Sequence, residues 1–178
     1  MNVRTRSVTQ TRAVAHALAS VLRAGDVVVL SGDLGAGKTA FVQGACAALG
    51  VVDPVTSPTF TIMHEYHAPV PVLHVDLYRI DTVNELHDLG FDEIVDGDHI
   101  TFIEWGDRFA AALPPDHVVI ELELPPAGDG GAADAEVDDR SADDRIVRVH
   151  AHGSGWHTRS RSIATSLAHY LHPDTGEG

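Results

Sequence analysis

Two apolar patterns alternate along this chain. The first is a helical stripe: over residues 11–23, Val14, Ala17, Leu18, Val21 and Leu22 recur at three- and four-residue spacing, with Thr9 or Thr11 placed to cap the start. The second is a short, nearly unbroken apolar run, found at residues 27–30, 72–75 and 100–103, and it predicts strands buried on both faces. Residues 39–49 return to helical spacing through Phe41, Val42, Ala45 and Leu49, and Gly50 ends that helix. Residues 55–68 carry β-branched and aromatic side chains but are broken by Pro58, which predicts a loop running into an edge strand. Thr82 and Glu85 have capping-box spacing and open a short helix through Leu86 and Leu89 to Gly90. Residues 118–124 and 145–150 alternate apolar with polar and suit outer strands, and a last helix runs through Ile163, Leu167 and Tyr170. Strands and helices in this order predict an α/β fold with a central mixed sheet flanked by helices.

The first buried run leads directly into SGDLGAGKTA, in which Gly32, Gly37, Lys38 and Thr39 fit G-x-x-x-x-G-K-[ST]. Strand, glycine-rich turn and helix is the order that a phosphate-binding loop needs. The glycines allow backbone N–H groups to converge on phosphate oxygens, and the positive end of the following helix favours the anion. Residues Gly32, Asp33, Leu34, Gly35, Ala36, Gly37, Lys38, Thr39 and Ala40 are therefore candidates for holding the phosphates of a nucleotide. Lys38 would reach the β- and γ-phosphates, and Thr39 would offer its hydroxyl to Mg²⁺. The other two buried runs end in carboxylates, Asp76 and Glu104, at the strand ends where open α/β sheets bind ligands. Either can reach a phosphate-bound Mg²⁺ directly or through water. The hydroxyls of Ser57, Thr59 and Thr61, around Pro58, lie where a segment sensing the γ-phosphate is often placed, and Trp105 follows Glu104 directly.

Composition narrows the function further. At 178 residues with 44% hydrophobic content, the chain predicts one domain spanning 1–178. Its net charge of -14 argues against holding nucleic acid alone. Much of that charge falls in residues 127–144, rich in Gly, Ala and Asp, which read as a solvated disordered loop with no chemistry assigned. The start has no apolar run of a leader, no stretch approaches the roughly 20 apolar residues of a membrane span, and the lone Cys46 reads as a small core residue. These features suit the cytoplasm. The twelve histidines show no HExxH spacing and read as solvated or packed.

Five motifs occur in order: GDLGAGKT, SPTFT, HVDLYR at 74–79, ELHDLGFDE at 85–93, and IEW at 103–105. In this combination the chain resembles the bacterial TsaE (YjeE) family over about residues 7–115. The resemblance implies an ATPase subunit of the machinery that makes N6-threonylcarbamoyladenosine in tRNA. Such a subunit binds ATP and Mg²⁺, is slow alone and faster with its partners TsaB and TsaD, and meets tRNA only indirectly through that complex. It further implies metal ligation by Thr39 and Glu104, an essential aspartate at Asp76, a functional tryptophan at Trp105, a switch-like loop at SPTFT, and a segment bordering the adenine at residues 7–11. Two other readings remain open on the residues alone. One is a P-loop kinase of a small metabolite, which would need several arginines over the phosphates where the stretch between the phosphate loop and Glu104 offers only Arg79; the other is a nucleotide-gated binding protein whose hydrolysis is incidental.

Overall fold

A computed structural model describes residues 1–125 and 143–171. The apolar runs become β2 (Val27–Ser31), β4 (Val72–Asp76) and β5 (Ile100–Glu104), which lie side by side and parallel in the order β2-β5-β4. Strand periodicity sends their alternate residues into two cores. Val28, Leu30, Ile100 and Phe102 pack beneath α1 (Val8–Ala19), α2 (Lys38–Ala48) and α5 (Gly153–Leu167) with Leu18, Phe41 and Trp156. Val27, Val29, Val75 and Ile103 pack on the other face with Leu86 of α3 (Val83–Asp88), Phe91 of α4 (Phe91–Val95) and Phe109 of a 3-10 helix, Gly106–Ala112. Fully burying a side chain such as Phe41 contributes about 2–3 kcal/mol.

β3 (Met63–Tyr66) pairs antiparallel with β4 and forms the edge, as the interrupted 55–68 pattern predicts. On the opposite flank, β6 (His117–Glu123) runs parallel to β2 and β7 (Arg145–His152) antiparallel to β6. These two are interior strands, because the short β1 (Asn2–Thr5) pairs with β7 and covers it. The sheet is therefore mixed, with helices on both faces, as expected.

Several boundaries differ for local reasons. α1 begins at Val8 because Ser7, not Thr9 or Thr11, is its cap, accepting the Gln10 N–H at 3.1 Å. Thr11 is buried instead, its hydroxyl against that of Thr5 at 2.8 Å. The capping box of α3 forms as expected: Thr82 Oγ1 accepts the Glu85 N–H, and Glu85 Oε2 accepts the N–H groups of Asp81 and Thr82. Those N–H groups hold the Glu85 carboxyl below its usual range. Cys46 is buried, and burial pushes its thiol up to about 12. The loop expected over 127–144 lies outside the described residues except at its end, where Asp144 is buried and accepts from Arg4 at 2.8 Å rather than being solvated. Among the described residues no helix is long and apolar enough to cross a membrane.

Candidate functional site

The turn after β2 is built from positions that only glycine tolerates. Gly32 has φ +134, and a Cβ there would lie 2.2 Å from the Leu122 carbonyl oxygen of β6. Gly37 caps α2 at φ 105, so the helix starts at once with Lys38 and Thr39. The Lys38 side chain folds back over the turn, and Nζ donates to the Gly32 carbonyl at 2.6 Å and the Asp33 carbonyl at 2.9 Å. It also stands 3.7 Å from the centroid of the Trp105 ring. Burial lowers the Lys38 pKa, opposed by the carboxylates of Glu104, Asp76, Asp107 and Asp33.

Because β4 and β5 are parallel neighbours in register, Asp76 sits beside Glu104. Both are buried, at 3% and 4% exposure, so each needs partners. Glu104 Oε1 accepts the Thr39 hydroxyl at 2.8 Å and His74 Nε2–H at 2.9 Å. Asp76 Oδ2 accepts the hydroxyls of Thr59 at 2.6 Å and Ser57 at 3.0 Å, and its Oδ1 accepts the Tyr78 N–H at 3.0 Å. Trp105 has a left-handed φ of 64, which turns its ring over Lys38 and against Tyr78, 5.3 Å between centroids. These groups enclose a cleft of about 350 Å³, with Leu34, Gly35, Gly37, Lys38, Thr39 and Ala40 on one side. Ser57, Thr59, Asp76, Tyr78, Glu104 and Trp105 form the other. The arrangement places a cation and a helix N-terminus opposite hard oxygen donors, which suits an anion carrying its own divalent metal.

Most of the residues expected to form a site converge here. Gly32, Asp33 and Ala36 instead line a separate cleft beside β6, with the Gly32 and Asp33 carbonyls turned to Lys38. Thr61 does not reach Asp76; its hydroxyl bonds the Pro58 carbonyl at 3.5 Å. Thr9, from the segment expected near the adenine, lines a third cleft between α1 and α2. His74 and Tyr78 were missed. The signal for His74 was its place inside an apolar run, since a histidine with no exposure must bond something. Its Nδ1 has no partner among the described residues.

Comparison with known proteins identifies relatives of this chain. The family model for TsaE, threonylcarbamoyl adenosine biosynthesis protein, matches residues 5–128. A Bacillus subtilis protein named tRNA threonylcarbamoyladenosine biosynthesis protein TsaE is 41% identical over 127 residues, which is 71% of this chain and 78% of that protein. A Streptomyces coelicolor protein of the same name is 35% identical over 156 residues, 85% of this chain and 97% of its own. The crystal structure of Bacillus subtilis YdiB superposes with a TM-score of 0.73 at 28% identity, covering 93% of this chain and 94% of that one. A P-loop fold with two carboxylate strand ends, matched along most of its length by these proteins, places the chain in the TsaE family.

Proposed function

We propose that this protein binds ATP with Mg²⁺ in the cleft and hydrolyses it to serve the synthesis of threonylcarbamoyladenosine in tRNA, together with TsaB and TsaD. The observation that carries the reading is the 2.8 Å bond from the Thr39 hydroxyl, at the first turn of α2, to Glu104, at the end of a parallel strand 65 residues away. That contact joins the phosphate loop to an acidic strand end.

The residues divide the work. Lys38 and the N–H groups at the start of α2 hold the phosphates, and Trp105 and Tyr78 wall the cleft beside them. Thr39 and Glu104 would hold Mg²⁺, with Asp76 bound directly or through water. The donor set fits, because it offers hydroxyl and carboxylate oxygens but, among the described residues, no cluster of three acidic, His or Cys ligands; Mg²⁺ favours few protein ligands plus phosphate and water. Bound there, the ion would neutralise phosphate charge. His74 keeps the Glu104 carboxylate oriented from below. Ser57 and Thr59 tie the SPTFT loop to Asp76, so any ligand that competes for that carboxylate frees the loop. The net charge of -14 supports contact with tRNA through partners rather than directly, and the site of action proposed is the cytoplasm, where tRNA is modified.

Phosphate release measured on the protein alone and with TsaB and TsaD tests the reading. Slow release alone, without an added acceptor, and faster release with both partners are expected. Release that required a small-molecule acceptor would turn the reading to a kinase.

A further inference from the structure

A second contact with the phosphate loop comes from β7, which lies beyond the residues that the TsaE family model matches. Arg145, the first residue of β7, stretches across the sheet edge to the turn. Its Nε donates to the Ala36 carbonyl at 2.8 Å and its Nη2 to the Gly35 carbonyl at 3.1 Å. Its Nη1 donates to the Asp144 carbonyl at 2.7 Å. The base of this arm is fixed: Arg145 pairs with Thr5 of β1, and buried Asp144 accepts from Arg4.

Peptide geometry gives the contact a consequence. All peptide bonds described are trans, and in a planar trans unit the carbonyl and the next N–H point in opposite directions. The Ala36 N–H is already used, donating to the Asp33 carbonyl at 3.0 Å. The Gly37 N–H belongs to the unit whose carbonyl Arg145 Nε holds, so it is directed away from the guanidinium. Ala36 lines the cleft beside β6, whereas Gly37 lines the cleft of Lys38 and Thr39. Glycines on both sides of Ala36 leave this unit free to rotate unless something fixes it. Arginine suits that task, because its planar fork holds two adjacent carbonyls at once.

We infer that Arg145 is a positioning residue for the phosphate loop, clamping the Gly35 and Ala36 carbonyls so that the Gly37 N–H is preset toward a nucleotide phosphate. This rests on the nucleotide-binding reading above, and it ties the β7 flank to the cleft. A preset donor saves the ordering cost that a flexible loop would meet on binding.

Binding of ADP and of adenosine to the full chain, with ¹⁵N-glycine amide spectra of the free protein, tests the inference. Arg145→Ala should weaken ADP binding about tenfold, leave adenosine binding as it is, and shift the Gly37 amide resonance. Arg145→Lys should recover part of the loss, since one ammonium replaces a two-pronged fork. Arg148→Ala removes a charge from the same strand, where Arg148 pairs with Glu121 and Glu123, and should change neither ADP affinity nor the Gly37 resonance. Wild-type ADP affinity with an unmoved Gly37 resonance in Arg145→Ala would overturn the inference, as would equal losses of ADP and adenosine. If Arg145→Ala does not fold, the Lys variant decides by the same two readouts. Should the wild type bind no ADP, the nucleotide reading falls, while the Gly37 shift still reports on the clamp.

Discussion

The two halves of the sheet are built from similar strands and do different things. In β2, β5 and β4 every strand runs the same way, so their C-terminal ends gather at one edge and bring the phosphate loop, Glu104 and Asp76 together. In β6, β7 and β1 the direction reverses at each step, so that same edge receives the end of β6 and the beginning of β7. The parallel half therefore collects the side chains of the proposed site, while the antiparallel half mainly stiffens the sheet and returns one long side chain, Arg145, to the loop. Burial follows the same division. The residues of β4 and β5 are buried throughout, whereas β6 alternates buried Val118, Ile120 and Leu122 with partly exposed neighbours.

Mutations should separate the two halves. The largest effect is expected for Glu104→Ala, which removes the carboxylate facing Thr39 but leaves the loop and Lys38 in place. Turnover in a phosphate-release assay should fall about 100- to 1,000-fold while ATP binding partly survives. Wild-type turnover in this variant would remove Glu104 from the metal site. Next, Ile120→Ala in β6 should cost about 3 kcal/mol in denaturant unfolding, because it empties a fully buried position, yet keep the turnover per folded molecule. A matching loss of turnover would mean that the flank is not separable from the cleft.

His74→Leu acts from inside the parallel half. It should lower turnover about tenfold through a less constrained Glu104, with little loss of stability, because Glu104 keeps the Thr39 hydroxyl and a buried Nδ1 without a partner among the described residues disappears along with the hydrogen bond. A large drop in melting temperature with unchanged turnover would make His74 a packing residue alone. The smallest effect concerns pH. His152 on β7 stacks on His117 at 4.5 Å, and burial, helped by His117, His150 and His157, lowers its pKa below 6.5. The unfolded chain thus binds the proton first, so stability is complete above about pH 6.5 and declines as the pH falls toward the lowered value. Melting curves between pH 7 and 5 should show this decline, and His152→Gln should flatten it without changing ATP affinity.

What the sequence revealed and hid follows from the range of the forces involved. Asp76 and Glu104 were legible because a charge ending a buried apolar run is a local pattern, and the glycines and Lys38 sit within one turn. The cap at Ser7 was not, since three hydroxyl residues, Ser7, Thr9 and Thr11, compete within five positions and only packing against Thr5 decides among them. β1 escaped because Asn2–Thr5 contains one apolar residue, Val3, and exists by pairing with a strand over 140 residues away. α4 is five residues long, too short for periodicity to show. His74 was read with the other histidines as solvated or packed; its meaning comes from Glu104, 30 residues on. Arg145 looked like the polar start of an alternating strand, and only the fold brings it to Ala36, 109 residues earlier.

In the proposed function, Lys38 and the turn around it hold the phosphates of ATP. Titrating ATP with Mg²⁺ into wild type and Lys38→Ala tests it most directly. Binding by the wild type and an affinity about 100-fold weaker in the variant are predicted, since its Nζ would bond phosphate oxygens in place of the Gly32 and Asp33 carbonyls. Equal affinities in the two proteins would contradict the account.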